Sequence, residues 1–282
     1  MTHRFVLLLA LLAGAFAADA ACTRADVRKT IENSMLVTGT IDIGTDGTVV
    51  AHRLDQSEKI HVSIRDLIAK ALGGYRFVPI KIDGKVVEAR AKLGMRVIAK
   101  QIENGNYQLR IGSASFGAKE DREEESVIPI KMTPPDFPPV ASLTRVKGTV
   151  YLLLKVGQDG KVQDIAAEQV NLKVVGTERQ MEKARKVLAN ASVTAAGKWT
   201  FKVPTRGPQA GEPYWSVRVP VDYAFEGDQE AKYGQWEAYV PGPRQTPVWA
   251  EDESPQRPDA MIAGVFYTSG AGPKLLTSIP QG

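Results

Sequence analysis

Val150, Leu152, Leu154 and Val156 alternate with Tyr151, Leu153 and Lys155, so the stretch opening at Gly148-Thr149 presents one wholly apolar face. A strand with that period has to lie on a core. Asp159-Gly160 then turns the chain, because Gly accepts positive φ and Asp bonds its own backbone in a tight loop. Lys161 to Ile165 returns as the second strand of a hairpin. Met181, Ala184, Val187, Leu188, Ala191 and Ala195 recur at helical spacing among Glu182, Lys183, Arg185 and Lys186, which predicts one amphipathic helix ended by Gly197. Trp199 to Pro204 follows, and Trp215 to Phe225 alternates into a last strand. The predicted order is strand, strand, helix, strand.

These residues resemble the TonB carboxy-terminal domain family. The resemblance lies in Pro135-Asp136-Phe137-Pro138, in Gly148-Thr149-Val150 opening the first strand, in the Asp-Gly hairpin, in Trp199-x-Phe201-x-x-Pro204, and in the proline-to-valine lead into the final strand. It covers roughly a third of the chain. It implies a small two-layer fold which, in energy transducers, grips outer-membrane receptors by adding a receptor segment to a sheet edge.

A second, earlier set of residues repeats the pattern. Ile43-Gly44-Thr45-Asp46-Gly47 parallels Val156-Gly157-Gln158-Asp159-Gly160, with Met35 to Ile43 and Thr48 to Leu54 as hairpin strands. Ile60, Ile64, Leu67, Ile68, Ala71 and Leu72 give a helical stripe, with Ser63 and Asp66 as a capping box and Gly73-Gly74 as the stop. Tyr75 to Pro79 parallels the Trp199 segment, and Val86 to Ala99 the last strand. This reads as an internal duplication. Asn104-Gly105 between alternating segments predicts a further hairpin strand, which would cover the last strand of the first copy and take away its free edge. The expected class is therefore α+β, with two tandem β-β-α-β units, each a helix packed on a short antiparallel sheet.

At the amino terminus, His3 and Arg4 precede an apolar run from Phe5 to Ala17, shorter than the roughly 20 residues a spanning helix needs. Small-x-small sites follow it, so residues 1–20 read as a cleaved secretory signal and the mature chain as periplasmic. A retained inner-membrane anchor is the competing reading. The single cysteine, Cys22, excludes an intrachain disulfide, and its lipidation would require a departure from the usual signal at Asp19. Membrane contact is expected only if the segment is retained or Cys22 is lipidated. The expected division is a signal at 1–20, a first unit at 24–117, a charged linker at 118–133, a second unit at 134–227 and a poorly structured Pro/Gly-rich tail at 228–282. Within that tail only Trp236 to Val240 and Met261 to Thr268 read as strand-forming, with one segment folded back on the second unit; pairing of Trp236 to Val240 with the last strand would cap the second copy as well.

A net charge of +4 without basic clusters among aromatics points away from nucleic acid. His52 and His61 lack ligands at metal-binding spacing, and no nucleophile elbow, phosphate loop or zinc-protease motif occurs. No cofactor, metal or catalytic residue is assigned, and an enzyme is not expected. The expected function is an interaction module in which Trp215, Ser216, Val217, Arg218, Val219, Val221 and Tyr223 form an edge strand that accepts an extended segment of an envelope or outer-membrane protein. Strand exchange into a homodimer would use the same edge. The alternative is a TonB-type energy transducer, for which the chain shows neither a long Pro-rich spacer nor a Ser-x-x-x-His within the apolar run.

Overall fold

A computed structural model describes residues 23–82, 84–102, 105–118, 124–207, 209–228, 231–250, 267–268 and 272–277. The signal segment and Cys22 lie outside these residues, as do Lys119 to Glu123 of the charged run. The fold is mixed α+β, with mostly antiparallel sheets and few helices.

After α1 (Arg24–Lys29) come β1 (Glu32–Ile43), β2 (Val49–Leu54), α2 (Val62–Gly74), the short β3 (Lys81–Ile82) and β4 (Lys85–Val86), then β5 (Ala89–Gln101) and β6 (Tyr107–Ala118). Next are β7 (Ile128–Lys131), α3 (Pro139–Leu143), β8 (Gly148–Gly157), β9 (Val162–Leu172), α4 (Glu178–Ala196), β10 (Thr200–Lys202) and β11 (Tyr214–Tyr223). In the tail lie β12 (Glu237–Tyr239) and β13 (Tyr267–Thr268).

One large sheet runs β12-β1-β5-β6, with β2 also on β1, a second runs β13-β11-β8-β9, and β10-β7 and β3-β4 are two-stranded. The strand expected after Asn104-Gly105 is β6, which pairs along β5 from Gln101 to Ala91. β5 therefore has neighbours on both sides. Ile64, Ile68 and Leu72 of α2 pack with Met35, Val37, Met95 and Val97 in one core, while Met181, Ala184 and Leu188 of α4 pack with Val150, Leu152, Val217 and Val219 in another.

The two hairpin turns match bond for bond. Gly47 N–H donates to Gly44 O at 2.9 Å, and Gly160 N–H donates to Gly157 O at 2.9 Å. Asp46 Oδ1 accepts from Thr48 N–H and Asp159 Oδ1 from Lys161 N–H, at 2.9 and 3.0 Å. Both second glycines take positive φ, +80° and +73°, and their carbonyls accept from Phe77 N–H and Phe201 N–H, each at 2.8 Å. The Asp-Gly pairs thus hold the helix exit against the hairpin tip as well as making the turn.

Several local expectations are corrected. The Ser63–Asp66 capping box does not form: α2 begins at Val62 and is capped by His61, whose Nδ1 accepts from Ser63 N–H at 3.3 Å. An imidazole nitrogen stands where a hydroxyl or carboxylate oxygen usually does. Thr177 and Gln180 make the capping box of α4 instead. The segment read as a charged linker carries a strand, β7, that pairs with β10. Val27 of α1, assigned by position to the first unit, is buried in the second core, and Ile31 packs against it.

In the described part of the tail, β12 pairs not with β11 but with β1, from Glu32↔Tyr239 to Ser34↔Glu237. Val240 and Leu172 then exchange backbone hydrogen bonds at 2.8 and 3.0 Å, and Gln245 N–H donates to Glu168 O at 2.8 Å. Residues 237–245 therefore lie between β1 and β9 and join the two sheets. Tyr239 Oη donates to Glu32 Oε2 at 2.9 Å, and Lys173 Nζ lies 2.8 Å from Glu237 Oε1 and 3.2 Å from Asp222 Oδ1. Burial alone would lower the Lys173 pKa, but the two carboxylates outweigh it and hold it above the ordinary lysine value.

Candidate functional site

The sequence places the site on β11, and Pro220 fixes how that strand is presented. Pro220 stands opposite Tyr151 of β8. Having no N–H, it can hold that place in an antiparallel ladder only at a pair that exchanges no hydrogen bonds. Val217, Val219 and Val221 therefore turn their backbone groups toward β8. Those of Ser216, Arg218, Pro220 and Asp222 turn to the outer edge, where Pro220 offers only its carbonyl.

Side chains follow the other alternation. Trp215, Val217, Val219 and Tyr223 enter the helix-side core, with Val221 half-buried against it. Tyr223 Oη lies 2.9 Å from Ser192 Oγ of α4, and burial raises its pKa despite that hydrogen bond. Trp215 Nε1 donates to Gln209 O at 3.0 Å. Ser216 and Arg218 point to the opposite face and are buried as well. Arg218 is 3% exposed and forks onto Glu168, itself 0% exposed, with Nε to Oε2 at 2.8 Å and Nη2 to Oε1 at 3.1 Å. The expected site residues thus share one strand, whose outer edge carries backbone groups while most of its side chains are buried.

On the outer side β11 meets β13, through Val217↔Thr268 and Arg218↔Tyr267. Among the described residues no strand pairs with β11 on that side from Val219 to Tyr223. That length borders a cleft of about 890 Å³. One wall is aromatic, with Phe137, Trp199 and Tyr223; Phe137 packs edge-on against Tyr223 at 5.5 Å between centroids. Trp199 Nε1 is anchored on Thr133 O at 2.8 Å. The facing wall comes from the helix-free side of the first sheet and the tail, including Leu36, Thr38 and Tyr233. Thr38 N–H donates to Tyr233 Oη, and that hydroxyl donates to Thr38 O, both at 3.2 Å.

Sequence reasoning missed Pro220, Asp222, Lys173, Phe137 and Tyr233 as parts of this place. A proline inside an alternating strand was a visible edge signal. Asp222, Lys173 and Phe137 meet through long-range packing around β11, and Tyr233 reaches the place only through its bonds to Thr38 of β1. Among the described residues no group of His, Cys, Asp or Glu could hold a metal ion, and no helix is long and apolar enough to cross a membrane.

No protein-family model and no solved structure matches the chain. Over 96 residues it is 33% identical to "Protein TonB" of Xanthomonas campestris pv. campestris, strains B100 and ATCC 33913. The match takes in 33% of this chain, which spans 36% of the length of those two relatives. The chain is thus similar to TonB across about a third of its length, and the relationship is TonB-like.

Proposed function

We propose that the chain is a non-enzymatic, TonB-like interaction module of the periplasm, in which the outer edge of β11 accepts an extended segment of an envelope or outer-membrane protein. The observation that carries this is the edge from Val219 to Tyr223, bordering a cleft with an aromatic wall in a chain similar to TonB. Strand addition draws its affinity from main-chain hydrogen bonds and its choice of partner from pockets beside the strand. Here Phe137, Trp199 and the Lys173–Asp222 pair supply such pockets.

The same reading takes the chain as two tandem β-β-α-β units. The matched turns at Gly47 and Gly160 support it, as does the place of Phe77 and Phe201 after each helix. With β6 on β5, the first unit keeps no such edge on its last strand, so binding falls to the second unit.

A photo-reactive residue at Ala224 or Gln235, both exposed and lining the cleft, tests the function in the native host. The expected adduct is with one outer-membrane or envelope protein, through a segment with extended backbone, and is absent when the probe sits at exposed Arg53 of β2. Equal adducts from all three positions would overturn the reading. Energy transduction, the alternative, predicts that an uncoupler changes adduct yield several-fold; the module predicts an unchanged yield.

A further inference from the structure

We propose that β13 is the chain's own stand-in for the partner: the tail strand and an incoming extended polypeptide compete for the outer edge of β11. This rests on the strand-addition reading above. By the ladder phase that Pro220 imposes, Arg218 turns its N–H and C=O outward, and Arg218 is the residue that pairs with Tyr267. Arg218 continues the outer edge that runs through Pro220 and Asp222, so a partner strand extended past Val219 would need the backbone groups that β13 holds.

The tail covers sheet edges in two different ways. Along β1 and β9 the cover is locked, by the Val240–Leu172 bonds, by Tyr239 on Glu32 and by Arg185 Nη2 on Pro241 O at 3.1 Å. On β11 it consists, among the described residues, of two residue pairs. A two-residue strand has little stability of its own, because a few ladder bonds hardly offset the entropy of ordering it.

What keeps β13 in place is a tether. Leu275 is buried in the first core, Leu276 N–H donates to Arg76 O and Val78 N–H to Lys274 O, at 2.8 and 2.9 Å, and Arg76 N–H donates to Thr277 Oγ1 at 2.8 Å. Only Ser-Gly-Ala-Gly-Pro separates Thr268 from Lys274. Such a short link holds the strand beside its edge at an effective concentration on the order of millimolar. A weak cap on a firm anchor can be displaced without detaching the tail.

The test uses the full chain and Tyr267→Pro, which removes the donor facing Arg218 and leaves the Leu275 anchor. Amide hydrogen exchange at Arg218 is expected to quicken by about tenfold, while the amides of Val217 and Val219, which face β8, keep their rates. A synthetic peptide of residues 261–272, added in trans, is expected to bind Tyr267→Pro at least about tenfold more tightly than the native chain. Leu275→Ala, which loosens the anchor, shifts both readouts in the same direction by less. Unchanged exchange at Arg218 overturns the proposal, and so does faster exchange without binding of the peptide. Peptide binding without any increase in cleft adducts to envelope proteins sustains the competition and sinks the proposed partner class instead.

Discussion

Gly160→Ala is expected to lower the stability of the core around α4 by about 3 kcal/mol, one of the two largest single-residue effects expected in this chain. Gly160 has φ +73°, where an L side chain is strained, and a Cβ there would overlap Phe201 O, a backbone atom that cannot swing away. Relief would break the Phe201–Gly160 hydrogen bond and lift the segment carrying Trp199 and Phe201 out of the core. Gly47→Ala meets the same obstacle at Phe77 O with φ +80°. Trp199 and Trp215 are buried in the core under α4, whereas Trp236 and Trp249 lie in the tail, so tryptophan fluorescence in urea, with Trp236 and Trp249 replaced by Phe, reports that core. Gly160→Ala should move that transition, whereas Gly47→Ala should leave it in place and move the far-ultraviolet signal. A Gly160→Ala chain as stable as the native one would refute the steric argument, and equal shifts from both changes would show that the two cores unfold together.

The second large effect is expected from Glu168→Ala, at about 3–5 kcal/mol. The carboxylate is the bidentate partner of a guanidinium that is itself almost wholly buried. Desolvating two charges is costly, so the intact pair adds little net stability, but removing one partner leaves the other charge in the interior without its counter-ion. Glu168→Ala combined with Arg218→Met should therefore recover much of the loss. Urea titration of the two single variants and the double variant measures it. If the single costs simply add, the charges are not coupled as the geometry requires.

The same ladder logic decides which prolines the edge tolerates. Proline at 217 or 219 would remove a donor from the β8 ladder and unpick the sheet, whereas native Pro220 removes one only from the outer edge. Alternation made β11 legible as a strand, but not which of its residues turn their backbone to the outer edge, because period-two patterning orders side chains and leaves hydrogen-bond phase open.

Local chemistry was legible where it is local. The alternation in β8, the Asp-Gly turns, the stripes of α2 and α4 and the β5–β6 hairpin follow from near neighbours, since periodicity and turn conformation are written within a few residues. Ser192 was missed in the α4 stripe because its hydroxyl is satisfied by Leu188 O and Tyr223 Oη, a partner far along the chain. The tail was read as poorly structured from its Pro and Gly content, yet Tyr239, Val240 and Leu275 are buried by segments far away in sequence.

Sequence by itself determined the α+β class, the Asp-Gly turns, the stripes of α2 and α4 and the strands β8 and β11, because each depends on patterns shorter than one element. Only the tertiary structure decided where the tail strands pair, which face of β11 is covered, and that Phe137, Trp199, Lys173 and Tyr233 border one cleft. Those are long-range pairings: any exposed strand edge offers the same backbone groups, and which segment reaches it depends on where the rest of the chain has been anchored.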